Sequence, residues 1–194
     1  NARSLGLLAR PCVETALFLG SIAMDKSDRV LVTGAGGLVG SAVVDLLQAQ
    51  GFFRVSGVLR QYWDLSDFVA TRTLFDKIRP DYVFHSAARV YGIIGNMSNQ
   101  GQSILENTLI NTSVVNAAAC VEVKKITVMS TGAVYPFPPQ KLPLAEDTIF
   151  NGRPHPSESA YAHAKRGMLA MLEAYEQSYG LNWAYIVSCN LFGP

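Results

Sequence analysis

Cysteine is scarce, and the three that occur follow no pairing pattern. Cys12, Cys120 and Cys189 are odd in number, far apart and form no CxxC. This argues against a disulfide framework and a thiolate zinc site, and for a reduced, cytoplasmic chain. An excess of either charge is missing too. Lys plus Arg number 16 against 15 Asp plus Glu, so the net charge of +1 leaves no electrostatic footprint for nucleic acid or an anionic membrane surface. There is no long hydrophobic run. The apolar stretch from Val13 to Ala23 is short and carries Glu14, too little to span a bilayer.

What is present is enough for one folded domain. Apolar residues make up 49% of 194 and charged residues 16%, the balance of a globular chain with a proper core. Residues 28–194 follow one alternating pattern. Residues 1–27 read as an N-terminal extension in which Met24 is the natural start. Arg3, Ser4 and Arg10, with a single acid, also permit a transit segment there.

From Asp28 onward, short β-branched runs alternate with helical periodicity. Strands are expected at 29–33, 53–59, 82–86, 125–130 and 183–188, with a stub of a further strand at 62–65. Helices are expected at 41–50, 67–78, 103–121 and 160–179, and a Pro- and Gly-rich surface loop at 136–159. This alternation is the signature of an α/β fold, a doubly wound parallel sheet of Rossmann type with helices on both faces.

The junction of the first strand and first helix reads Thr33-Gly-Ala-Gly-Gly-Leu-Val-Gly40, with glycines at 34, 37 and 40. Gly34 allows the tight turn, Gly37 lets backbone N–H groups approach a pyrophosphate, and Gly40 lets the helix pack on the sheet. The helix N-terminus adds free donors and a positive dipole end. About twenty residues past the last glycine, an acid would select NAD and an Arg the 2′-phosphate of NADP. That position is Arg60, and the nearest acid downstream is Asp64, so NADP is the expected cofactor. Leu38, Leu65 and Ala87 join the glycines, Arg60 and Asp64 in the assigned cofactor-binding set.

Tyr161-Ala-His-Ala-Lys165 places a phenol and an ammonium four apart on one helix face. The cation should lower the Tyr pKa and suit it to proton transfer at a sugar oxygen. Thr131 ends a buried strand, where open α/β sheets bind ligands, and its hydroxyl can hold the same oxygen. Asn107 is a candidate fourth member of this catalytic set. His163 points off the Tyr161–Lys165 face, and His85 is expected as a hydrogen-bonded core residue.

The order of these motifs resembles the extended short-chain dehydrogenases. The segments Ala87–Asn96, Glu106–Ile110, Asn151–His155 and Asn190–Pro194 resemble, more narrowly, the GDP-L-fucose synthase family. The resemblance covers residues 28–194. It implies an NADPH-dependent cytosolic homodimer that epimerises C3 and C5 of a GDP-4-keto-6-deoxymannose and then reduces C4. It also implies that Lys165 and Asn190 lie near the nicotinamide, and that a further substrate lobe follows Pro194. The sequence departs from that family at two places. Ala133 stands where the family has a cysteine acid/base for epimerisation, and Ser188-Cys189 stand in place of Pro-Thr. The family's second acid/base, a His, would fall beyond Pro194. Cys189 is the local alternative to the missing thiol, though a small buried thiol is the plainer reading.

The reading is therefore a nucleotide-sugar 4-reductase whose epimerase step is in question. An NAD-dependent nucleotide-sugar 4-epimerase would use the same triad, but Arg60 speaks against it. A non-catalytic NADP-binding regulator would not need Thr131, Tyr161 and Lys165 together.

Overall fold

The computed structural model describes residues 24–139 and 141–193. The readings placed on residues 1–23 lie outside these. Strand β1 (Val30–Thr33) pairs in parallel with β2 (Val55–Val58) on one side and β3 (Tyr82–His85) on the other. Beyond β3 lie β4 (Lys125–Thr131) and β5 (Trp183–Ser188), giving the order β2-β1-β3-β4-β5, parallel throughout. A strand with parallel neighbours on both edges and helices on both faces has no solvent side. Val30, Leu31 and Val32 are accordingly apolar and fully buried.

The helices are α1 (Leu38–Ala49), α2 (Phe68–Ile78), α3 (Gly92–Ser98), α4 (Gln100–Cys120) and α5 (Ser159–Tyr179). Side chains alternate across a strand, so Val30, Val32 and Tyr82 meet Leu47 of α1 on one face. Leu31, Val83, Ile126 and Val128 meet α2, α4 and α5 on the other, through Phe75, Val114, Met168 and Leu172 among others. The doubly wound sheet expected from the alternation is thus present. Strand order reverses between β1 and β3, which opens a crevice at their carboxyl ends where such folds bind ligands.

Four details differ from the sequence reading. Residues 62–65 form turns rather than a strand stub: Tyr62 and Trp63 N–H both donate back to the Leu59 carbonyl, at 3.1 and 3.2 Å. Helix α1 starts at Leu38 instead of 41, with Gly37 as its N-cap; Gly40 inside the first turn hides that start from propensity. Helix α3 was not expected at all, because two glycines in seven residues mask it. The 136–159 loop contains two short 3₁₀ turns, Glu146–Thr148 and Pro156–Glu158, and is pinned by buried Ile149 against Val134 and Leu169. Asp67 caps α2 by accepting from Ala70 N–H at 2.9 Å, and Gly180, at φ 68°, ends α5.

Candidate active site

The glycine loop and its neighbours set the floor of the crevice. Gly34 has φ +72°, and a Cβ there would lie 2.8 Å from the Ala87 backbone nitrogen. A Cβ on Gly40 would collide with the Gly34 carbonyl oxygen. Both positions therefore need glycine to bring α1, β1 and the chain after β3 together. The first turn of α1 has no side-chain cap and no acid, so its N–H groups and dipole stay available to an anion.

Two cavities adjoin along this floor and share Gly34, Gly37, Ser86 and Ala88. The first, about 350 Å³, lies between the glycine loop and the end of β2. Of the assigned residues it gathers Gly34, Gly37, Arg60, Asp64, Leu65 and Ala87. Asp64 Oδ1 also accepts from the Ser66 N–H and hydroxyl, at 3.0 and 2.6 Å, which sets the turn leading into α2. The second, about 580 Å³, gathers Leu38, Gly40, Thr131, Tyr161, Lys165 and Asn190. Residues spread over more than 150 positions thus line these two adjoining cavities.

Lys165 is 1% exposed and donates from Nζ to the Met129 carbonyl at 2.9 Å. Its Nζ lies 5.8 Å from the centre of the Tyr161 ring. Burial pulls the Lys165 pKa down to about 8. Burial, and then the Glu158 carboxylate, push Tyr161 up to about 12. This is opposite to the lowering that the i, i+4 spacing of Tyr161 and Lys165 predicts. Burial of the phenol sets the direction, and the second cause is Glu158, not Lys165. A phenol held protonated is suited to donate its proton to a developing alkoxide. Thr131 Oγ1 accepts from Ala133 N–H at 3.3 Å, leaving its own O–H free to donate into the cavity.

Asn107 is fully buried and lines neither cavity. Its Oδ1 accepts from Arg89 N–H at 2.9 Å, and its Nδ2 donates to the Arg89 and Ser103 carbonyls at 3.0 and 2.8 Å. It makes no hydrogen bond to Tyr161 or Lys165 among the described residues, and it fixes the segment after β3 instead. Asn111, one turn on, reaches α5, donating to the Ala164 carbonyl at 3.2 Å. Its Oδ1 faces His85 Nε2 at 3.2 Å, and His85 Nδ1 meets Thr33 Oγ1 at 2.8 Å. Burial, and then Lys165, hold His85 down at about 3, so it is a neutral core residue. His163 is exposed.

Sequence reasoning missed several lining residues. Glu106 accepts from Arg89 Nε at 2.9 Å and from the Tyr91 hydroxyl at 2.8 Å, and closes the first cavity with Arg89. Asn96 and Glu158 line the second cavity. Asn96 and Glu106 fall in segments that carry the family resemblance, but nothing in their spacing marks them as lining residues, and only the folding of α3 and the 156–158 turn brings Asn96 and Glu158 to the site. Cys189 is exposed and lines the second cavity; Ala133 lines neither. Among the described residues no cluster of three or more His, Cys, Asp or Glu could hold a metal, and no helix is long and apolar enough to cross a membrane.

Comparison with known proteins gives this groove a family. The pattern of the NAD dependent epimerase/dehydratase family matches residues 30–194. The chain belongs to that family. A probable GDP-L-fucose synthase of Drosophila melanogaster is 36% identical over 175 residues, 86% of this chain and 52% of that protein. A GDP-mannoheptose C4 reductase from Campylobacter jejuni, solved with NADP bound, superposes with a TM-score of 0.84 at 30% identity, over 88% of this chain and 54% of that one. A GDP-L-fucose synthetase from Naegleria fowleri, also bound to NADP, gives 0.78 at 30% identity, over 89% of this chain and 57% of that one. The chain spans about half the length of the curated relatives it matches.

Proposed function

We propose that this chain is the NADP-binding and proton-transfer part of a nucleotide-sugar 4-reductase of GDP-L-fucose synthase type. One observation carries the reading: the glycine loop, Arg60, Thr131, Tyr161 and Lys165 line two cavities that adjoin along the glycine loop. The groove fits NADPH. The uncapped start of α1 faces the shared floor, where Gly34 and Gly40 leave no room for a Cβ, and Arg60 stands in the first cavity for the 2′-phosphate. NADPH supplies the hydride when bound. Thr131 then holds the C4 oxygen of a GDP-4-keto-6-deoxymannose-like sugar, and Tyr161 gives that oxygen its proton. Lys165 stabilises the phenolate left behind and binds the nicotinamide ribose. The relatives named as GDP-sugar reductases and fucose synthases support the substrate class.

Epimerisation at C3 and C5 needs one group to take a proton from carbon and another to return one. Ala133 can do neither, so the reading is of a reductase first. A substrate lobe from sequence outside this chain, a homodimer and a cytoplasmic setting belong to the same proposal, with residues 28–194 as the cofactor domain. The test is NADPH oxidation by the full-length protein with a panel of 4-keto nucleotide sugars. Oxidation with a GDP-4-keto sugar is expected. Interconversion of 4-epimers with retained NAD would replace this reading by a 4-epimerase, and cofactor binding without any turnover would replace it by a regulatory protein.

A further inference from the structure

Asn96 and Glu158 come from different parts of the chain and both line the second cavity. Helix α3, which carries Asn96, packs on the 156–158 turn, and Gln100 Nε2 donates across to the Pro156 carbonyl at 3.2 Å. Asn96 is 4% exposed, yet its Oδ1 has no hydrogen-bond partner. Buried polar atoms are nearly always paired, and an orphan beside a cavity calls for a partner. A half-turn of the amide exchanges its acceptor and donor ends. Glu158 is half-buried on the same wall and forms no ion pair among the described residues. It lines the same cavity as Tyr161, three residues on along the chain.

The lining of the cavity thus combines two chemistries. The glycine loop offers N–H donors and a helix N-terminus, which attract phosphate. Glu158 offers a carboxylate, which repels phosphate and accepts from hydroxyls. Two polar groups on elements that pack together suit a ligand with two neighbouring O–H donors, such as a sugar ring. We infer that Asn96 and Glu158 form a two-point wall that recognises vicinal hydroxyls of the sugar and so orients its C4 carbonyl toward Tyr161. This rests on the nucleotide-sugar reading and extends it to the residues that select the sugar.

The test compares the full-length protein with Asn96→Ala and Glu158→Gln, using NADPH and GDP-4-keto-6-deoxymannose. An analogue of that sugar with one ring hydroxyl replaced by hydrogen provides the second arm. Each variant should lower kcat/KM for the sugar by about tenfold, while NADPH affinity stays within about twofold. Removing the hydroxyl that an altered residue binds should cost the wild type about tenfold and that variant almost nothing. Glu158→Gln is isosteric and only half-buried, so it keeps the test open if Asn96→Ala folds poorly. Variants that match the wild type in kcat/KM overturn the inference alone. So does a loss of sugar turnover and NADPH affinity in step, which would mark a structural role. A wild type that binds NADPH but turns over no nucleotide sugar overturns the parent reading and this inference with it.

Discussion

Replacing Lys165 with Met should make the fold more stable near neutral pH while disabling the site. Burial holds Lys165 at about 8, against 10.5 for a free lysine. The folded chain releases that proton above about pH 8, and the unfolded chain keeps it to about 10.5. Between those values the unfolded state binds more protons, so stability rises with pH; below 8 the whole penalty is present. At about 1.36 kcal/mol per pH unit the penalty is about 3 kcal/mol at pH 7. Methionine fills similar space without the charge but gives up the bond from Nζ to the Met129 carbonyl, a loss of about 1 kcal/mol. The variant should therefore gain about 2 kcal/mol at pH 7, or about 4–8 °C in Tm for a domain of this size. By pH 10.5 the gain should have vanished. Urea denaturation at both pH values, without cofactor, measures this. A Lys165→Met protein less stable than wild type at pH 7, or one whose advantage does not shrink as pH rises, would refute the reasoning.

The buried neutral His85, held at about 3 against 6.5, contributes with the same sign in a lower pH window. Its stability is fully present above pH 6.5 and should fall by about 3 kcal/mol by pH 4; His85→Gln should show a flatter dependence of the urea midpoint over that range. Gly40→Ala should weaken NADPH binding by at least about tenfold and cost about 1–3 kcal/mol of stability. Gly101→Ala in α4, where an added Cβ meets nothing within 4 Å, should instead stabilise by about 0.5–1 kcal/mol; equal effects in paired titrations would remove the packing argument. Arg60→Ala should lower the preference for NADPH over NADH by about tenfold or more, and an unchanged ratio of the two dissociation constants would show that Arg60 does not meet the 2′-phosphate. In deuterated water without NADPH, the full-length protein should place no deuterium at C3 or C5 of the 4-keto sugar at a rate comparable with C4 reduction, and Ala133→Cys should restore exchange. Exchange in the wild type that is lost in Cys189→Ala would assign the acid/base to Cys189 instead.

Local patterns made much of this legible. The glycine spacing announced the strand–loop–helix unit because the close approach of Gly40 to Gly34 leaves no room for a Cβ. Tyr161 and Lys165 were legible because i and i+4 share a helix face. Gly180 marks the end of α5 through local backbone chemistry, adopting a positive φ that suits glycine. Helix α3 was not legible, since Gly92 and Gly95 lower propensity and packing on the 156–158 turn supports it. The role of Asn107 was not legible either. A polar residue on α4 carries no local sign of whether it faces Tyr161 or, as it does, the Arg89 backbone.

The sequence by itself determined the five strands, the helices α1, α2, α4 and α5, the phosphate loop and the Tyr161–Lys165 pair. Each depends on residues a few positions apart, whose geometry the backbone dictates. Only the tertiary structure decided that Asn96, Thr131, Glu158 and Asn190 share one cavity. It also decided that Tyr161 keeps its proton. A pKa depends on burial and on groups brought near through space, and neither is written in the spacing of residues along the chain.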